Sequence, residues 1–247
     1  MKKLVKLYRK ELHIPAKYFE FLRGKKDCCT NEITQDQSFL YGVEAMSNRK
    51  IAKFQKQLER PPICRVGDIR IDVPVWFGDF REAKIRICVV GLEPRHTDDL
   101  FNNLKKGKTV FASPFGADRW NDDFRVRGKP HKKYRRALAP VLNGNYFLLL
   151  TDVVKEFQVK SEQKKQNDTR AKRRFPQLAR TWGACLKAEI AIVKPNLIVA
   201  FGKRAEKALA KQLAFAKINV VFVRHPSYGG EKSALEEIEA ALLNAHI

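Results

Sequence analysis

Four short, mostly apolar runs stand out along a heavily charged chain: IRICVV at 85–90, YFLLL at 146–150, LIVAF at 197–201 and INVVFV at 218–223. A strand with one wet face alternates apolar and polar residues, whereas continuous runs of this length read as strands covered on both faces. Between and after them the apolar spacing changes to three and four, which predicts helices over 182–193, 203–215 and 234–245, the first ended by Pro195. Strands alternating with helices imply a mostly parallel sheet between two helical layers. In such sheets ligands bind beyond the carboxyl ends of the strands, so the residues just after each run carry the functional question. The first eighty residues differ. Stretches 4–22 and 39–58 have helix-like spacing with many Lys and Arg, and Pro61-Pro62 breaks the second. The expected organisation is a basic, largely helical N-terminal extension over 1–80 and an α/β domain over 81–247, with no internal repeat.

Charge narrows the class of partner. The chain carries 49 Lys and Arg against 27 Asp and Glu, a net +22, and such an excess points to a polyanion. No run reaches the ~20 apolar residues that cross a membrane, so no membrane partner is expected. The opening MKKLVKL is interrupted by charge before any apolar stretch forms, so no secretory signal is read and a cytoplasmic location is expected. Five cysteines form an odd set without a CxxC pair, and the vicinal Cys28-Cys29 is poor ligand spacing. They read as reduced thiols, with no metal site and no cofactor expected.

The strand exits are polar or ionisable. Gly91-Leu92-Glu93-Pro94-Arg95-His96 follows the first run, Thr151-Asp152 the second, and Arg224-His225-Pro226-Ser227 the last. After the second exit comes the basic segment 155–174, with 8 Lys or Arg and 3 Asp or Glu. Its polar run Lys164-Lys165-Gln166-Asn167-Asp168 reads as a loop. It is either a solvated charge run or, beside the predicted site, a phosphate contact that includes Lys172, Arg173 and Arg174.

These exits resemble the motifs of the uracil-DNA glycosylase superfamily. Residues 91–96 resemble its first motif, G-Q-D-P-Y-H in one branch, and His225-Pro226-Ser227 resembles its second, H-P-S. Thr151-Asp152-Val153-Val154-Lys155 is similar to the T-N-V-V-K segment of the branches that carry iron–sulfur clusters. Ala184-Cys185 and residues 194–202 follow those branches through their last helix and strand. The likeness spans roughly 84–245 and rests on three motifs in order at successive strand exits. It implies a three-layer α/β/α sandwich around a mostly parallel four-stranded sheet, acting on DNA. Two departures matter. Only Cys185 stands at a cluster-ligand position, and Glu156 replaces another cysteine, so no iron–sulfur cluster is expected. Lys172-Arg173-Arg174-Phe175 is followed by Pro176, where a covalently linking branch has its histidine, so no covalent intermediate is expected.

Cutting an N-glycosidic bond requires an extruded nucleotide, a stacked base, a placed water and a stabilised oxocarbenium-like sugar. By the resemblance, Glu93 serves the water and the cation, and His225 donates a hydrogen bond to the departing base. A surface glutamate near a strand end and a structural histidine before Pro226 are the plainer readings of the same residues. Ser227 would grip a phosphate. Phe115, or its close competitor Phe111, would stack on the base, with core packing the alternative for either. Two substitutions bear on which base enters. Asp152 stands where uracil-specific relatives read the base with Asn. An ionised Asp only accepts, which suits the amine of cytosine rather than uracil; if burial protonates it, the acid also donates to the ring nitrogen of cytosine. An Asp that merely caps a loop is the alternative. Arg95 replaces a Tyr that excludes C5 substituents, and His96 closes the same base-facing segment. A host cannot tolerate loss of its own plain cytosine. The reading that follows is excision of a C5-modified cytosine, 5-hydroxymethylated or glucosylated, from phage DNA as antiviral defence. A uracil or deaminated-base repair glycosylase is the alternative, and a non-catalytic DNA-binding module the second alternative.

Overall fold

The computed structural model describes residues 2–11, 69–93, 109–112, 114–119, 130–142, 144, 146–158, 167–213, 218–226 and 230–244. The second N-terminal helix expected over 39–58 lies outside them, as do the later residues of the first.

Among the described residues there are eight strands: β1 (Ile69–Asp72), β2 (Val75–Phe77), β3 (Ile85–Gly91), β4 (Thr109–Ala112), β5 (Tyr146–Asp152), β6 (Glu156–Gln158), β7 (Leu197–Phe201) and β8 (Asn219–Val223). The helices are α1 (Lys2–Glu11), α2 (Pro130–Ala137), α3 (Ala139–Leu142), α4 (Asn167–Val193), α5 (Lys203–Gln212) and α6 (Glu231–Asn244). The main sheet runs β2-β5-β3-β7-β8, with β5, β3, β7 and β8 parallel. All five residues of β7 are buried, as are the last five of β3, which is what an unbroken apolar run demands of a sheet covered on both sides. One group of helices, α1, α4 and α5, packs together, and a second, α2, α3 and α6, packs together. The α/β architecture expected from the strand–helix alternation is therefore present.

Three differences from the sequence reading have physical causes. The sheet has a fifth strand: β2 adds antiparallel to β5, with Val75, Trp76 and Phe77 all buried. It is only three residues long and follows Pro74, so no periodicity announces it. Gly78 ends it at φ 78°, where a Cβ would lie 2.2 Å from the Tyr146 carbonyl oxygen, so the chain leaves the edge at a point only glycine permits. A separate small sheet runs β4-β1-β6. Both β1 and β2 precede residue 81, so sheet pairing begins ahead of the expected domain boundary. Finally, the segment read as a loop enters α4 at Asn167, which puts Lys172, Arg173 and Arg174 on a helix. Asn167-Asp168 marks a turn and a helix start equally well, and here the helix start wins.

The start of the chain joins the core. Leu4, Val5 and Tyr8 of α1 are buried in the same apolar cluster as β3, β5 and α4, while Lys2, Lys3, Lys6 and Lys10 face outward. An amphipathic helix of this kind is held by its apolar stripe. In α4 the buried stripe is Ala179, Trp182, Cys185, Leu186, Glu189, Ile190 and Val193. One member is a carboxylate, and it requires a partner.

Candidate active site

The parallel register pairs Gly91, the last residue of β3, with Asp152, the last of β5. The two exits stay joined beyond the strands, because Val153 N–H donates to the Gly91 carbonyl at 2.9 Å and Val154 N–H to that of Leu92 at 3.1 Å. A Cβ on Gly91 would fall 2.2 Å from Asp152 Oδ1 and 3.0 Å from Phe115 Cε1. The missing side chain therefore lets a carboxylate and an aromatic ring meet at the strand ends. Asp152 is 3% exposed. Phe115 reaches this place from a short 3-10 turn, Pro114–Arg119, in which its own backbone is left-handed at φ 58°. A bulky residue rarely takes that conformation, and surrounding packing must hold it there.

Beneath Asp152 lies a buried polar cluster. Glu189 from α4 and Lys155 are both fully buried and pair at 2.9 Å. The Lys155 ammonium also donates to Thr151 Oγ1 and to the backbone carbonyl of Asp152, and the Thr151 hydroxyl donates to Glu189 Oε2 at 3.0 Å. One cation thus ties down the segment that carries Asp152. Burial, the largest single cause, would lower the pKa of Lys155, but the charge and hydrogen bond of Glu189 together with the Cys185 and Asp152 charges outweigh it, and the net shift is upward. Burial, then Glu189, pushes the Tyr8 phenol well above its ordinary range. The thiols of Cys88 and Cys185 move up for the same two reasons, against the opposing charge of Lys155. These are inert buried thiols rather than nucleophiles. Among the described residues no three His, Cys, Asp or Glu side chains are grouped to hold a metal ion.

A second group forms at the ends of β7 and β8. Phe115 lies 5.1 Å from the Tyr134 ring and 5.3 Å from the Phe201 ring, and Tyr134 lies 5.3 Å from the His225 ring, edge-on. The Tyr134 hydroxyl is 2.7 Å from His225 Nε2. At the foot of this group the Gly202 N–H donates to the Val223 carbonyl at 2.9 Å, joining the two strand ends. Arg136, two residues after Tyr134 on α2, makes a two-pronged ion pair with Glu231 at the start of α6. The chain segment between His225 and α6 is thus bracketed from both ends by α2.

The structure brings Asp152, Phe115 and His225 to one end of the sheet, linked through Gly91, Tyr134 and Phe201. Glu93 sits half-buried two residues beyond Gly91. Phe111 lies in β4 with its backbone opposite Ile71 of β1, and its side chain is outside the described residues. Arg95, His96 and Ser227 lie outside the described residues, as do the side chains of Lys172, Arg173 and Arg174. Sequence reasoning missed Tyr134, Lys155, Glu189 and Tyr8. Glu189 had a signal, a lone carboxylate in an apolar helical stripe. Tyr134 had a weaker one, a single aromatic in the basic helix PHKKYRRA.

Comparison with known families gives one match: residues 77–242, from the end of β2 into α6, fit the model described as the uracil DNA glycosylase superfamily. No curated protein matches the chain.

Proposed function

The chain belongs to the uracil DNA glycosylase superfamily, whose members are DNA glycosylases, and from that premise we propose that it excises a C5-modified cytosine from phage DNA and leaves abasic sites as antiviral defence. The observation that carries this reading is Asp152, buried at the end of β5 against Gly91 and Phe115. A carboxylate there accepts hydrogen bonds and offers none while ionised, and the neighbouring Lys155 charge and its own stabilise each other. Such a group favours the exocyclic amine of cytosine and repels the carbonyl that uracil presents at the same edge.

The steps follow from the strand ends. The target nucleotide leaves the stack, and its base lies against Phe115. The N-glycosidic bond breaks with its electron pair departing on the base. His225 donates a hydrogen bond to the oxygen where that charge gathers. Glu93 faces the cationic sugar and takes the proton of the water that adds to the anomeric carbon. Arg95 faces the C5 substituent, and His96 contributes to binding the base. Ser227 with Lys172, Arg173 and Arg174 holds phosphates, a role that fits the charge of +22.

Base release from matched oligonucleotides containing cytosine, 5-hydroxymethylcytosine, its glucosylated form or uracil, followed by alkaline cleavage of abasic sites, tests the proposal. Cleavage confined to a modified cytosine is expected. Cleavage at uracil returns the protein to repair, and tight binding without cleavage of any of the four makes it a binding module. Glu93→Gln should leave DNA binding intact and cut the single-turnover rate by about a hundredfold or more.

A further inference from the structure

The outward face of α1 carries charge that works against the helix itself. The helix has five Lys or Arg and one Glu, with no acid in its first turn. Lys2, Lys6 and Lys10 stand four residues apart, so like charges lie one above another, and Lys2 and Lys3 meet the positive end of the helix dipole. Lys10 reaches Glu11 at 3.3 Å, whereas among the described residues Lys2, Lys3 and Lys6 have no carboxylate at ion-pair distance. The opposite helical layer balances its charge. There α6 has four Glu and one Lys, Lys232 faces Glu236 at 3.8 Å, and Glu231 and Glu237 pair with Arg136 and Arg224. The lysines of α1 cannot turn elsewhere, because Leu4 and Tyr8 are fully buried and seat the helix against α4. On α4 the stripe opposite Trp182 and Leu186 holds the exposed Arg180 and Lys187, and the one carboxylate of 176–193, Glu189, is buried. Two helices packed side by side, each burying the stripe that faces the core, present their other stripes to the same solvent.

We propose that this face, Lys2, Lys3, Lys6 and Lys10 of α1 continued by Arg180 and Lys187 of α4, binds the phosphate backbone of double-stranded DNA without reading its bases. A polyanion supplies the negative charge that the helix lacks, and it gains from every lysine that α1 leaves without a partner. The surface is distinct from the strand exits and does not depend on which base is excised there. Nothing in the family match accounts for it, since α1 precedes residues 77–242.

The test compares two charge-matched variants of the full chain. One carries Lys2→Gln, Lys3→Gln and Lys6→Gln; the other carries Arg81→Gln, Lys84→Gln and Lys232→Gln, exposed residues away from α1 and α4. Affinity for a labelled duplex of about 20 base pairs is read by fluorescence anisotropy between roughly 50 and 200 mM salt. In the α1 variant the slope of log affinity against log salt should become shallower by about 2–3, near 1 for each lysine that meets a phosphate. Affinity at the lower salt should fall about tenfold or more, alike for duplexes of any sequence, while the second variant changes far less. The urea midpoint of the α1 variant should not fall, which separates lost binding from lost fold. Equal losses from the two variants mean that net charge alone acts, and they overturn the proposal. An unchanged slope, or a wild type that does not bind the duplex, overturns it as well. So does an α1 variant that keeps its DNA affinity but no longer binds vesicles of equal parts phosphatidylserine and phosphatidylcholine, since the face then belongs to a membrane. If the wild type binds DNA but releases no base, the functional reading above fails and the salt slope still decides this one.

Discussion

The two strand-end groups that meet at Phe115 are held in opposite ways. Asp152 rests on a sealed platform: Lys155, Glu189 and Thr151 are fully buried and bonded to one another, and Tyr8 closes the cluster from another helix. His225 stands half-buried at the other end of the site, against the Tyr134 hydroxyl, with the Arg136–Glu231 ion pair joining α2 to α6 near by. The first arrangement gives Asp152 a single fixed position, at the cost of two desolvated charges, and under the proposed function that is the position from which a base edge would be read. The second places His225 nearer to solvent, where under the same proposal charge would gather on the departing base.

The comparison breaks most sharply at the platform. Glu189→Leu leaves the Lys155 ammonium without its counter-charge and should destabilise the protein by about 3–5 kcal/mol, whereas the double variant Lys155→Met with Glu189→Leu should recover much of that loss. Urea denaturation of the three proteins measures it; a single variant as stable as the wild type removes the platform from the account. The platform should also be sensitive to alkali. Lys155, Tyr8, Cys88 and Cys185 all have pKa values raised above those of the unfolded chain. Their stabilisation is complete below the unfolded values, about 8.5 for a thiol and about 10 for a phenol or ammonium, and is lost as pH climbs towards the folded ones. The urea midpoint should therefore decline above about pH 8.5, and a midpoint still level at pH 10 contradicts it. The smallest effect belongs to the other region. Arg136→Ala removes a partly exposed ion pair and should cost no more than about 1 kcal/mol in urea denaturation. A larger loss means that α2 holds the His225 segment more firmly than its geometry suggests.

Much of this arrangement is visible in the sequence, for reasons that also mark where visibility ends. Three of the parallel strands, β3, β5 and β7, show because most of their residues are buried on both faces, and that condition writes an apolar run; β8 shows by its run of valines although only Val223 is buried. β2 meets the same condition but stops after three residues, too few to form a pattern. Asp152, Glu93 and His225 were found as polar residues immediately after apolar runs. Tyr134 follows no such run; its importance comes from a contact with a residue far along the chain, and no local spacing encodes that. Glu189 is the intermediate case, since a carboxylate in the α4 stripe predicts a buried partner but does not say that the partner is Lys155. The start of α4 was misread because Asn167-Asp168 serves a turn and a helix cap alike.

The seat of α1 has a consequence in time. During synthesis the apolar face of Leu4, Val5 and Tyr8 is made long before α4, against which it packs. A contact between such distant parts of the chain forms late and slows folding, and until it forms that face is exposed to wrong partners. The nascent chain must keep α1 waiting until α4, more than 150 residues further on, has been made, and only then can the floor beneath Asp152 close.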